Sequence, residues 1–173
     1  MLVKGLEGNM EPGELQKKLE VLAHLESSGG KNKLHAPQTS GIHKGTRAVS
    51  SYGLMPNTVK EFTLRNKEFQ KTPTGQLILQ NIDNPEAINK ITEQQEHDDA
   101  IMSALLNEQR NRISKYADES DDPELLNVFA HRRGVSGAIK AAKDDSYYED
   151  PYVKAYQEEK ARRFPQLQSF LKK

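Results

Sequence analysis

No stretch of this 173-residue chain sustains the period-two alternation that marks a half-buried β-strand. Its apolar residues recur three and four apart, which on a helix gathers them onto one face. The pattern predicts an all-α or mainly α fold. The first helix runs through Leu15, Leu19 and Leu22 to about Glu26, with Pro12 suited to its first turn. A second covers Thr58 to Phe69 after Pro56 and Asn57, with Val59, Phe62 and Phe69 on its inner side. Residues 71 to 86 read as a connector holding a short helix. A long helix is expected from Glu86 to Tyr116, its apolar stripe interrupted by the polar run TEQQEHDD. Asp121 or Asp122 caps the next helix, and Pro123 opens it. That helix is apolar nearly all round through Leu125 to Ala130, so it is expected to be the buried central one. Gly134 breaks it and a short helix follows. The last helix spans about Pro151 to Arg163, with a closing apolar turn at Leu167, Phe170 and Leu171.

A chain of this length suits one domain over residues 1–173, although apolar residues make up 35% of it and the core must be modest. Lys plus Arg equals Asp plus Glu, 25 of each, which gives no general attraction to nucleic acid or to an anionic membrane. The absence of Cys excludes disulfides, thiolate nucleophiles and Cys-type zinc sites together. No apolar run reaches the roughly 18 residues of a membrane span. The first fifteen residues lack the apolar segment of a signal peptide, so a route other than a classical signal is expected for action outside the cytoplasm.

One carboxylate stands out. Positions 15, 19, 22 and 26 fall on one stripe at 3.6 residues per turn, so Glu26 takes the next place on an apolar face at the helix end. Ser27, Ser28, Gly29 and Gly30 then stop the helix. Two readings stand side by side. A carboxyl held against apolar surface resists ionisation and suits a general acid. A helix-end Glu can equally turn into solvent. From Ser27 to Ser51 the chain is rich in Gly, Ser, Thr, Lys and His and nearly free of apolar anchors, a loop of the length usually kept for function. A small β-hairpin between residues 30 and 51 stays open.

Glu26-Ser27-Ser28-Gly29 resembles the Glu-Ser catalytic motif of lytic transglycosylases related to goose-type lysozyme. Tyr52-Gly53-Leu54-Met55 resembles their Gly-Leu-Met motif. Leu126 to Gly137, LNVFAHRRGVSG, stands where that family has an apolar helix ending in Ala-Tyr-Asn-Ala-Gly, and Tyr152-Val153 is similar to its late Tyr-Val motif. These markers follow in the family's order across most of the chain. The resemblance implies an α+β lysozyme-like fold with a long catalytic loop, acting on peptidoglycan glycan strands without cofactor or metal. It implies Glu26 as the catalytic residue, with Ser27, Tyr52, Gly53, Leu54, Met55, His131 and Tyr152 on the substrate side. The Ser/His/Gly-rich loop resembles phage-encoded relatives, which brings virion proteins in as further partners, with action on the wall from a virion or at lysis.

Such an enzyme needs one acid. Its Glu protonates the oxygen between N-acetylmuramic acid and N-acetylglucosamine, then as carboxylate takes the proton from the sugar's own C6 hydroxyl. That hydroxyl closes onto C1 and leaves a 1,6-anhydro end. Hydrolases of glycosidic bonds usually use two carboxylates. Between Glu26 and Glu61 the chain has no Asp or Glu, which favours the one-acid chemistry, while Asp98, Asp99 and Glu108 remain candidates for a second acid. A hydrolytic muramidase, or a wall-binding virion protein without turnover, are the alternatives. Departures from the family pattern keep them open: Pro56 replaces the usual Gln, and His131-Arg132 replaces Tyr-Asn. By position His131 either tunes Glu26 or is a satisfied structural histidine, and a positive charge there would weaken an acid.

Other patterns carry less. His24, His35 and His43 have loose spacing with no HExxH, so a metal is not expected. Ser28-Gly29-Gly30-Lys31 fails as a phosphate loop because the leading Gly is missing and Asn32 follows the Lys. Tyr147, Tyr148, Tyr152 and Tyr156 offer ring faces to a sugar, with core or surface packing expected for Tyr147 and Tyr148. Lys31, Lys33, Lys44 and Arg47 make the loop basic, suited to peptide carboxylates or simply solvated.

Overall fold

The computed structural model describes residues 10–30, 33–35 and 48–165. The fold is mainly helical, as the apolar spacing predicts. Nine α-helices are described: α1 Pro12–Ser27, α2 Pro56–Arg65, α3 Lys67–Gln70, α4 Pro73–Gln80, α5 Pro85–Glu93, α6 Gln95–Ile113, α7 Pro123–Arg133, α8 Val135–Asp144 and α9 Pro151–Arg163. A single 3₁₀ turn, Ser146–Glu149, precedes α9. Among the described residues there is no sheet. Of the open hairpin between residues 30 and 51, the described residues show one antiparallel bridge, Leu34 to Val49, flanked by His35 N–H to Ala48 C=O at 2.9 Å and Ser50 N–H to Lys33 C=O at 2.9 Å, while residues 31–32 and 36–47 lie outside them.

Two expected helices are each divided. The span from Thr58 to Phe69 breaks at Asn66, whose extended backbone ends α2 while its side chain accepts the Phe69 N–H at 2.9 Å and starts α3. The span from Glu86 to Tyr116 breaks at Gln94, which is also extended, so α5 and α6 are separate. Proline opens six of the helices, where its missing N–H costs nothing.

Contacts divide the chain into two compact units: one takes residues up to Val21 and from Leu105 onward, the other is Leu22–Ala104. In the second unit, Leu22, Phe62, Ile78, Ile88, Ile101 and Met102 are fully buried. Phe62 and Phe69 pack with ring centroids 5.1 Å apart. Gly75 on α4 lies so close to the Phe69 carbonyl that a Cβ there would stand 1.9 Å from the oxygen.

In the first unit, Leu126, Val128 and Ala130 of α7 are buried, as expected of a central helix. Asp122 accepts the Leu125 N–H at 3.0 Å and is the cap. Asp121 instead serves the preceding loop, accepting the Asp118 N–H at 2.9 Å. Gly134 ends α7 at φ +87°, a conformation that favours glycine. Tyr147 is core and its hydroxyl accepts the Asp122 N–H at 2.9 Å, whereas Tyr148 is exposed. The expected closing turn at Leu167, Phe170 and Leu171 lies outside the described residues, as do Lys31, Asn32, His43, Lys44 and Arg47.

Candidate functional site

The Ser-Ser-Gly-Gly stop works through backbone geometry. Ser28, Gly29 and Gly30 all take positive φ, at 53°, 73° and 88°. Ser28 N–H bonds to His24 C=O at 3.0 Å and Gly29 N–H to Ala23 C=O at 3.1 Å, which closes the last turn of α1. The Ser27 hydroxyl lies 3.0 Å from Ala23 C=O and 2.7 Å from Ser51 C=O, donates to one of them at a time, and accepts the Gly30 N–H at 2.9 Å. Ser27 is only 3% exposed. Its hydroxyl ties the end of α1 to the chain around Ser51.

That tie brings Gly53 to Glu26. Gly53 takes φ +72°, and a methyl group built on it would stand 3.2 Å from Glu26 Oε2 and 3.7 Å from His35 Cε1. The α-carbon of Gly53 therefore backs directly onto the Glu26 carboxylate, with the His35 ring beside both. Residues 26, 35 and 53 are far apart in the chain and meet at one point. His35 is fixed in turn by Nε2, 2.8 Å from Ser50 C=O, which makes Nε2 the donating nitrogen.

Beneath this point lies a polar foundation supplied by α6. Asp98 is fully buried and accepts the Ser50 hydroxyl at 2.7 Å and the Ser51 N–H at 2.7 Å. Burial pushes its carboxyl up to about 6, against the lowering effect of those two donors. Asp99 accepts the Tyr52 hydroxyl at 2.5 Å and the Gln95 amide at 2.7 Å. Burial, followed by the bond to Asp99, holds the Tyr52 phenol well above its ordinary range. Gln95 also takes the Ser51 hydroxyl at 2.7 Å, and Thr92 donates to Val49 C=O at 2.5 Å. Each residue from Val49 to Tyr52 is thus held by α5 or α6. Lys33 donates to Glu93 C=O at 2.7 Å, which spends one of the basic loop residues on the same support.

The expected substrate-side residues divide accordingly. Tyr52, Leu54 and Met55 are buried, at 3%, 3% and 9% exposure, and give the site its floor. Gly53 is half-buried and reaches the carboxylate. His131 and Tyr152 belong to the other unit. Burial pushes the His131 imidazole down to about 4, reinforced by the positive charges of Arg132 and Lys18, so it is neutral at physiological pH. Arg132 lies over the Tyr152 ring, 5.4 Å from its centroid.

Sequence reasoning missed the parts played by His35 and Asp98. In the sequence His35 reads only as one of three loosely spaced histidines, and among the described residues no group of three or more His, Asp or Glu could hold a metal. Asp98 reads in the sequence as a candidate second acid within a polar run, not as the buried acceptor for Ser50 and Ser51. The signal available was that a Ser-Ser-Tyr turn with buried hydroxyls needs an acceptor from elsewhere. No helix among the described residues is long and apolar enough to cross a membrane. Comparison with protein-family models, curated proteins and solved structures finds no match for this chain.

Proposed function

We propose that the protein is a lytic transglycosylase that cleaves the bond between N-acetylmuramic acid and N-acetylglucosamine in peptidoglycan, with Glu26 as acid and then base. The observation that carries this reading is the seating of the Glu26 carboxylate against the α-carbon of Gly53. It joins the two segments whose sequences resemble the family's Glu-Ser and Gly-Leu-Met motifs. A glycine there leaves the carboxylate room that any side chain would fill.

The fate of the nearby acids supports transglycosylation over hydrolysis. A two-carboxylate hydrolase needs a second acid facing the sugar. Asp98 is sealed under Ser50 and Ser51, and Asp99 is committed to Tyr52 and Gln95. Glu26 then serves alone, protonating the leaving oxygen and taking the C6 hydroxyl proton as the 1,6-anhydro ring closes. Wall delivery from a phage virion or at lysis belongs to the same proposal.

The test is peptidoglycan digestion by the wild type and by Glu26→Gln. The substitution is isosteric and removes the titrating group, so cleavage should fall by about a hundredfold or more while the thermal midpoint stays put. Full activity in Glu26→Gln would overturn the assignment.

A further inference from the structure

The first unit holds a cleft of about 960 Å³ that the proposed chemistry does not use. Arg110 of α6 lines it and is only 7% exposed. Its Nη1 is buried and has no hydrogen-bond partner among the described residues. A buried guanidinium with an orphaned donor is costly unless an anion meets it.

The other charges of the cleft already have work. Lys18 Nζ donates to Asn127 Oδ1 at 2.9 Å and to Glu124 C=O at 3.3 Å. Lys160 holds both oxygens of Glu124 at 2.6 and 2.7 Å, and the Tyr156 hydroxyl adds a third bond at 2.7 Å. Lys17 stands over the Phe164 ring, 5.6 Å from its centroid. Asp121 serves its loop and Asp122 caps α7. Glu14 acts on Arg110 through charge, yet among the described residues Arg110 is the buried cation of the cleft that keeps an unpartnered donor.

Charge balance narrows what it would take. Lys17, Lys18, Arg110 and Lys160 face Glu14, Asp121, Asp122 and Glu124 around the same space. With Lys18 only partly protonated near pH 7, the cations do not outnumber the acids and nothing offsets a dianion, whereas one carboxylate set directly on Arg110 is the least repelled anion. Met10, Leu125 and Phe164 supply apolar wall for the rest of a ligand. We propose that this cleft binds a small molecule or peptide end that carries one carboxylate on an apolar or aromatic body, with Arg110 as its anchor.

Titration calorimetry and amide-shift mapping of the full chain with three probes test this: N-acetylphenylalanine, its uncharged amide, and inorganic phosphate. The carboxylate should bind roughly tenfold or more tightly than the amide, because a charge-assisted bond to Arg110 is lost with the charge. Phosphate should bind more weakly than the carboxylate. Arg110→Met should erase the preference for carboxylate over amide without lowering the thermal midpoint, since it removes an unpartnered buried cation. Amide binding as tight as the carboxylate's, tighter phosphate binding, no binding of the carboxylate, or an unchanged preference in Arg110→Met would each overturn the proposal. If Arg110→Met fails to fold, the carboxylate-to-amide ratio of the wild type decides alone.

Discussion

Gly53 is the residue on which the site turns. Its φ of +72° costs an L-residue about 1–2 kcal/mol, and an added methyl would press on Glu26 Oε2 from 3.2 Å. Gly53→Ala should therefore lower stability by about 1–2 kcal/mol in urea unfolding and cut the cleavage rate by much more than that loss of folded protein explains. An activity that simply tracks the folded fraction would show that Gly53 serves the turn and not the carboxylate. At this scale the sequence was partly legible. Glu26 stood out because its stripe was otherwise apolar, and Gly53 because its neighbours resemble a motif. Asp98 was legible as a candidate acid but not as a structural anchor, since its partners Ser50 and Ser51 are distant in sequence and a buried carboxylate looks like any surface acid until the fold closes over it.

Among the elements, helix identity followed from spacing but helix ends did not. Apolar periodicity runs straight through Asn66, and the polar run around Gln94 interrupts the stripe without a Gly or Pro to mark a stop, yet the backbone turns extended at both. Asn66 was readable as a cap only once the chain had somewhere to turn, because asparagine inside a periodic run is also tolerated in a helix. Gly75 marks the tightest join. It lets α4 lie against the end of α3, and a Cβ there would overlap the Phe69 carbonyl at 1.9 Å. The obstacle is backbone, which cannot rotate aside. Gly75→Ala should destabilise the protein by about 3 kcal/mol or more in chemical denaturation, against the gain expected for Ala in an open helix. A neutral result would contradict the close approach of α4 to Phe69.

For the whole molecule, buried titrating groups set how stability follows pH. Burial pushes the Lys18 amine from 10.5 down to about 7. Between those values the unfolded chain keeps a proton that the folded chain has lost, so stability rises with pH across that window. His131, pushed from 6.5 down to about 4, acts in the same sense between pH 4 and 6.5. Asp98 is raised from 3.8 to about 6, so its contribution is fully present below 3.8 and is lost as pH rises through 6. Urea unfolding of the wild type should thus show stability increasing from pH 7 towards 9 by at most about 1 kcal/mol per unit, and Lys18→Met should flatten that rise. Between pH 4 and 6 His131 and Asp98 oppose each other, so wild-type stability should change little there, and His131→Gln should uncover the fall with rising pH that Asp98 alone gives. These groups were invisible in a balanced composition, because 25 charges of each sign say nothing of which are buried. The functional account meets its most direct check in the products. Mass analysis of glycan fragments from purified peptidoglycan should show 1,6-anhydro ends, one water lighter than hydrolysed ends, with wild type and none with Glu26→Gln. Reducing ends in their place, or no cleavage by the wild type, would contradict it.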